Sequence, residues 1–397
     1  MRRILAVLTI VMVGSAVPVG QGVPNTLTPK EVAEGWLLLW DGETLFGWEP
    51  HGEAQWKISG GVLVADSEEG GWLGTTTPFA DFELQAEFRT AADGNSGLFI
   101  RSARDGAPHE TGYEVQIFDD QPAGYNTGSL VNCARASEAK IIPSQWNSME
   151  VTAQGDHFVV EYNGKQVLDA RDGKHAVGVI GLQYNRGKKV KFRNIKLRPL
   201  GLKPIFNGMD LSGWERVEPP TKPKLPAEWS VKDGAIHVER GPGQLETQGT
   251  WGDFVLQLDV RCNAQGPAHH PNSGVFFRGD NGKFWSGYES QIYNDYKDGN
   301  RAMPIDVGTG GIYFRQAARR VVSNDNEYFT KTLVAQGRHL SVWVNGIQVS
   351  DYTDPREEGM DARKQARLAA GAISLQAHDP TTNLDFRNLR IAPLPMR

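Results

Sequence analysis

Several things are scarce in this chain, and each scarcity closes a class of explanation. Only two cysteines, Cys133 and Cys262, occur in 397 residues. They fall at non-equivalent points of the repeat described below, so two unpaired thiols are expected rather than a repeated disulfide. No Cys/His spacing resembles a structural zinc site, and no metal ligand set is read from the sequence. Basic residues are not in excess: 42 Lys and Arg face 47 Asp and Glu, for a net charge of −5, which excludes a nucleic-acid footprint. Phosphate loops, dinucleotide fingerprints and Ser-His-Asp spacings are missing as well. Long apolar runs are confined to residues 4–13, preceded by Arg2 and Arg3 and followed by Gly14, Ser15 and Ala16. That order is an export signal, too short for a membrane span, with no cysteine after it for a lipid anchor. Residues 1–25 are therefore read as a signal peptide, and the mature protein as exported to the periplasm or the extracellular space with no stable membrane span.

What the chain does contain, it contains twice. Asn95-Ser96-Gly97-Leu98-Phe99-Ile100-Arg101 and Gly112-Tyr113-Glu114-Val115-Gln116-Ile117 recur as Asn272-Ser273-Gly274-Val275-Phe276-Phe277-Arg278 and Gly287-Tyr288-Glu289-Ser290-Gln291-Ile292. Matches continue at a shift of roughly 165 to 195 residues, too long for a solenoid unit and right for a whole domain. Two domains follow, 35–200 and 203–396, joined by the short linker 199–204, which leaves them little independent motion.

Within each copy the pattern is of short strands. Residues 81–89 alternate polar and apolar with period two, and 253–261 repeat the alternation. Asn163-Gly164 and Asn345-Gly346 sit between alternating runs, a hairpin signal because both turn residues must take positive φ. Many short strands, Gly-rich turns and almost no helical periodicity predict an all-β antiparallel sandwich or jelly roll in each copy. The exception is 357–370, an Ala/Arg/Lys-rich insertion in copy two that reads as a short surface helix. Two further insertions, 219–226 and 265–271, read as loops at the rim of a binding face.

Alternation also sorts the faces. Tyr113, Val115 and Ile117 point one way and Glu114 and Gln116 the other; in copy two Glu289 and Gln291 take that second face. Asn95, Phe99 and Arg101, mirrored by Asn272, Phe276 and Arg278, are placed together on one face, and Gln183 matches Gln376. A face carrying carboxylate, amides, guanidinium and an aromatic ring suits sugar recognition, although Glu and Arg on neighbouring strands could equally pair as a solvated ladder. His378 is the best proton-transfer candidate by intrinsic pKa, and copy one has Asn185 in its place. Asp119-Asp120 and Asn294-Asp295 offer oxygen ligands of the kind Ca²⁺ takes or serve as turns, and calcium is the one cofactor left open.

The ordered set Leu39-Trp40-Asp41-Gly42 with Leu45, Gly47 and Trp48, then Asn95 to Arg101, Gly112 to Ile117, Gln145-Trp146-Asn147, Val179-Ile180-Gly181-Leu182-Gln183 and Phe192-Arg193-Asn194-Ile195 resembles the 3-keto-disaccharide hydrolase domain family, in both copies. The resemblance implies a concanavalin A-like jelly roll and action on glycosides whose C3 hydroxyl has become a ketone. An upstream sugar 3-oxidoreductase would have to supply that ketone. A C3 ketone acidifies the C2 proton, so a base can remove it, the C1 oxygen can leave, and water can add. On this reading Glu289, His378 and Glu114 are the catalytic candidates. Arg278, Gln291, Asn272, Tyr313, Gln376, Arg101, Gln116, Asn95 and Gln183 are the substrate-binding ones. Copy two keeps the family's Gly-x-Ile-Tyr segment as 310–313 and its histidine as His378, and is expected to be the catalytic copy. Copy one, with Ser129-Leu130-Val131 and Asn185 there, is expected to be degenerate or sugar-binding. A non-catalytic, lectin-like protein is the alternative for the whole chain.

Overall fold

The computed structural model describes residues 23–266 and 268–395. The signal segment falls almost wholly outside these residues. Nearly every described element is a strand, and each copy is a two-sheet sandwich, as the alternation predicts.

In each copy a five-stranded sheet packs its apolar face on a core. In copy one its order is Trp48–Gly52, Gly71–Thr75, Val179–Tyr184, Ser96–Ser102, Tyr113–Ile117. In copy two it is Trp214–Val217, Gly243–Thr247, Ala372–Ala377, Ser273–Gly279, Tyr288–Ile292. The opposing layers of the two copies are not separate: they form one sixteen-stranded sheet. Its splice is the two-residue strand Leu37–Leu38, antiparallel to Val190–Pro199 of copy one and parallel to Ile347–Thr353 of copy two. Side chains seal the join. Trp343 of copy two is 1% exposed inside the core of copy one, with its ring 6.2 Å from Phe79, and Asp41 and Arg319 pair at 2.7 Å. Two sheets sharing a hydrogen-bonded edge do not hinge freely, which fits the restricted motion expected from the short linker.

Two expectations need correction. Residues 357–370 do not form a helix. The segment closes on itself instead, with the Ala366 N–H donating to Glu357 O and the Gly359 N–H to Ala366 O, both at 2.8 Å. Its side chains explain why propensity loses to tertiary contacts: Ala362 and Ala366 are buried, and Arg367, 2% exposed, pairs with Asp280 at 2.6 Å. The second correction concerns Arg101 and Arg278, which do not share the outer face with Phe99 and Phe276. Each has a positive φ, 52° and 54°, beside a register shift of its strand. The irregularity breaks the period of two and turns the guanidinium inward. Arg278 donates to the carbonyls of Gly252, Gly337 and Arg367 and to Asp253. Arg101 donates to those of Ala80, Gly155 and His175 and to Asp81. Both arginines are clamps between loops, and neither is placed to touch substrate. Both cysteines are free, as expected.

Candidate active site

Strand register builds the outer face of each five-stranded sheet in rows. In copy two, Glu215, Glu246, Ser374, Phe276 and Glu289 lie side by side across the five strands. The neighbouring row carries Val217, Gln244, Gln376, Gly274 and Gln291. In copy one the same rows read Glu49, Gly74, Gly181, Phe99, Glu114 and His51, Trp72, Gln183, Gly97, Gln116. The glutamate–glutamine edge is common to both. The centre differs: Gly74 and Gly181 stand where copy two has Glu246 and Ser374, and Trp72 where it has Gln244.

Glu289 is 5% exposed, and burial pushes its carboxyl up to about 7 against the pull of Arg363, His378 and a hydrogen bond from Gln376. Arg363, from the insertion 357–370, brings Nη2 to 3.5 Å from Glu289 Oε2 and lies over the Tyr313 and Phe314 rings. Tyr313 is held by its N–H donating to Glu289 O at 2.9 Å, and Phe314 is 64% exposed. Gln291 and Asn272 both donate to Asp306 Oδ2, at 2.7 and 3.1 Å. The opposite oxygens of these amides, Gln291 Oε1 and Asn272 Oδ1, are buried with no partner, and so is Gln376 Oε1. Three buried acceptors without a partner beside one carboxylate leave hydrogen-bonding capacity for ordered water or a donor-rich ligand. His378 sits at the rim, its Nδ1 2.8 Å from Asp379 and its ring parallel to Trp285 with centroids 5.8 Å apart.

The 280–287 segment lies across the Glu246 side of this face. Its Gly282 N–H donates to Glu246 Oε1 at 2.7 Å, and the Trp285 N–H to Gln244 Oε1 at 2.5 Å. Three strand spacings separate Glu246 from Glu289, about 14 Å between backbones at the usual interval.

Copy one keeps Glu114, 7% exposed and likewise pushed up to about 7 by burial, with a hydrogen bond from Gln183. The rest of its site differs. Trp72 stacks on His51 at 3.9 Å and meets the Phe99 ring edge-on, and its ring lies over Gly74 and Gly181. A Cβ at Gly74 would approach Trp72 to 2.4 Å, so glycine there makes room for the indole. Gln183 Oε1 is orphaned as in copy two, but Gln116 Oε1 accepts the Ile117 N–H. Asn95 is half-buried just before its strand. Where Tyr313 donates to Glu289 O, Val131 donates to Glu114 O, and no insertion brings an arginine.

Of the sequence candidates, the structure gathers Glu289, Gln291, Gln376, Asn272, Tyr313 and His378 in copy two, and Glu114, Gln116 and Gln183 in copy one. Glu246, Ser374, Gln244, Asp306 and Arg363 were not singled out. Alternation in Gly243–Thr247 puts Gln244 and Glu246 on one face and could have found them; Arg363, from an irregular insertion, has no sequence signal. At the calcium candidates, Asp119 accepts from Thr127 and from the Ile141 N–H, and Asn294 accepts from Thr309 and Ser323. Among the described residues no group of three or more His, Cys, Asp or Glu side chains is placed to hold a metal, and no helix is long and apolar enough to cross a membrane. A cavity of about 490 Å³ lies between the copies, lined by Phe79, Val255 and Leu394 among others, away from Glu289.

A profile for the 3-keto-alpha-glucoside-1,2-lyase-like domain matches the chain twice, at residues 35–198 and 201–392. A Bacteroides thetaiotaomicron protein named 3-keto-disaccharide hydrolase is 24% identical over 231 residues, covering 42% of this chain and 79% of its own. A Parabacteroides distasonis structure, provisionally assigned as a glycosyl hydrolase, is 25% identical with a TM-score of 0.41, covering 45% of this chain and 100% of its own. A carbohydrate-binding module from Bacillus subtilis is 19% identical with a TM-score of 0.31, covering 38% of this chain and 94% of its own.

Proposed function

The chain belongs to the 3-keto-alpha-glucoside-1,2-lyase-like domain family, carrying the domain twice, and from that premise we propose that its copy-two site cleaves 3-keto glycosides by elimination and hydration. Glu289 is the base. A carboxyl held near neutrality by burial is matched to proton abstraction at ordinary pH. It takes the C2 proton, the C–H electrons form the C2–C3 enolate, and the Arg363 guanidinium stabilises the enolate oxygen. Collapse of the enolate expels the C1 oxygen, which His378, oriented by Asp379, protonates. Water then adds at C1 of the unsaturated ketone and restores the C2 proton, giving a free 3-keto sugar and the alcohol. Gln291, Gln376 and Asn272 take the sugar hydroxyls on their orphan oxygens.

The observation that carries this reading is the buried, near-neutral Glu289 ringed by three unpaired acceptors under a single guanidinium. The named Bacteroides relative, a 3-keto-disaccharide hydrolase, supports the substrate class. Export to the periplasm or outside, and an oxidoreductase that makes the ketone upstream, belong to the same proposal. Copy one, plugged by Trp72, is read as a non-catalytic partner that retains the glutamate–glutamine couple.

The test is turnover of 3-keto-trehalose and 3-keto-lactose beside their unoxidised parents, in H₂O and in D₂O. Release of 3-keto-glucose from 3-keto-trehalose and of 3-keto-galactose from 3-keto-lactose, with nothing from the unoxidised parents and with deuterium appearing at C2, is expected. Release without deuterium at C2 would replace elimination with direct hydrolysis. Saturable sugar binding with no product would move the chain to the lectin-like alternative.

A further inference from the structure

Beneath the Glu289 strand lies a charge that the proposed chemistry does not use. Lys331, in the strand Phe329–Gln336 of the large sheet, is 0% exposed. Its side chain crosses the core of copy two, and Nζ donates to the carbonyls of Ser290 and Gln291, each at 2.8 Å. Those two residues directly follow Glu289. Ser290, also 0% exposed, leaves its hydroxyl without a partner in the same layer, and fully buried Cys262 is the other titratable neighbour.

Copy one is the control that nature supplies. The Asn163 N–H donates to Ser148 O as the Asn345 N–H donates to Thr330 O, so Met149 occupies the place of Lys331. Val115 likewise occupies the place of Ser290. A thioether and a valine therefore suffice for the fold. An ammonium sealed in a core is disfavoured by several kcal/mol unless something compensates it. Here burial pulls Lys331 down to about 7, and the opposing influence comes first from Glu289 and then from Cys262. Glu289 in turn is faced from above by Arg363, His378, Gln376 and Asp306. Nζ rests on the carbonyls of the two residues that follow Glu289, and whatever influence the ammonium and the carboxylate exert across that strand is mutual.

We propose that Lys331 is a positioning residue of the copy-two site, one that braces the Glu289 strand from beneath and supplies a buried positive charge favouring the carboxylate form of Glu289. The inference rests on Glu289 being the base, but its charge coupling is measurable without substrate. The full-length protein, labelled with ¹⁵N at lysine Nζ, is titrated by NMR, with Lys331→Met identifying the Lys331 signal by its loss. Lys331→Gln serves for identification if the methionine variant does not fold. A midpoint well below those of the other lysines, falling by roughly half a pH unit or more in Glu289→Gln, is expected. A midpoint indifferent to Glu289→Gln overturns the proposal, whatever the substrate proves to be. In turnover, Lys331→Met should move the acid limb of kcat/KM upward by roughly half a unit to one unit. A limb that stays in place while thermal stability changes would leave Lys331 a purely structural residue. Absence of turnover in the unaltered protein would instead refute the cleavage reading and leave the NMR result standing.

Discussion

The two copies share a scaffold and differ over their outer faces, and the proposed chemistry follows the difference. Both hold a glutamate with a raised pKa on the fifth strand of the smaller sheet, hydrogen-bonded by a glutamine from the third. Both turn an arginine inward to clamp three loops. Copy one then fills the middle of its face with an indole and keeps glycines beneath it, whereas copy two puts Gln244, Glu246 and Ser374 there and adds Arg363. A buried glutamate is common to both copies and cannot by itself tell them apart. What sets copy two apart is the guanidinium, two further orphan acceptors and the lysine underneath.

The largest effect should come at the glutamates. Glu289→Gln is expected to lower kcat on a 3-keto glycoside by about 10³-fold or more, the loss typical of removing the proton-transferring group. Glu114→Gln should leave it within about threefold. Comparable losses from both would make the copies equivalent catalysts and dissolve the comparison. Next come the clamps, where the copies are alike and should fail alike. Arg101→Met and Arg278→Met each leave three loop carbonyls unpaired, and each should destabilise by about 3–5 kcal/mol in chemical denaturation. A variant that loses activity with stability intact would return that arginine to the site. Arg363→Met should lower kcat/KM by about 10²-fold, since the charge that meets the developing enolate is gone, with less change in KM. An effect confined to KM would make Arg363 a ground-state contact instead.

The sandwich was legible because its signals are local: period-two alternation, Asn-Gly turns and a repeat that displays each strand twice. The faces of Glu114, Gln116, Glu289 and Gln291 were legible for the same reason. Arg101 and Arg278 were misplaced because alternation assumes an unbroken ladder, and one residue at positive φ reverses the side chain. Repetition pointed to those arginines correctly, but as part of the scaffold, which is what two diverged copies have most reason to keep. The 357–370 insertion was misread because its Ala, Arg and Lys content suits a helix, while its fate is decided by Arg363 and Arg367 reaching partners elsewhere in copy two. Lys331 shows the same limit from another side. A lysine inside a strand looks solvent-facing until a second layer is known to cover it.

The smallest effect isolates what copy one still keeps. Glu114 has a folded pKa near 7 against about 4.5 when unfolded, so the native state binds its proton more tightly than the unfolded chain does. Its contribution is fully present below about pH 4.5 and is lost as the pH rises through 7, where an ionised carboxylate must stay in a poorly solvated layer. Glutamine has nearly the same shape and never ionises. Glu114→Gln should therefore match the unaltered protein in stability at pH 4 and exceed it by about 3 kcal/mol at pH 8, read from denaturation midpoints at the two values. Glu289→Gln should show a smaller gain at pH 8, because Arg363 loses its counter-charge when the carboxylate goes. An equal gain in both copies would mean that Arg363 does not stabilise the Glu289 carboxylate, and that the charge around it is no different from that around Glu114.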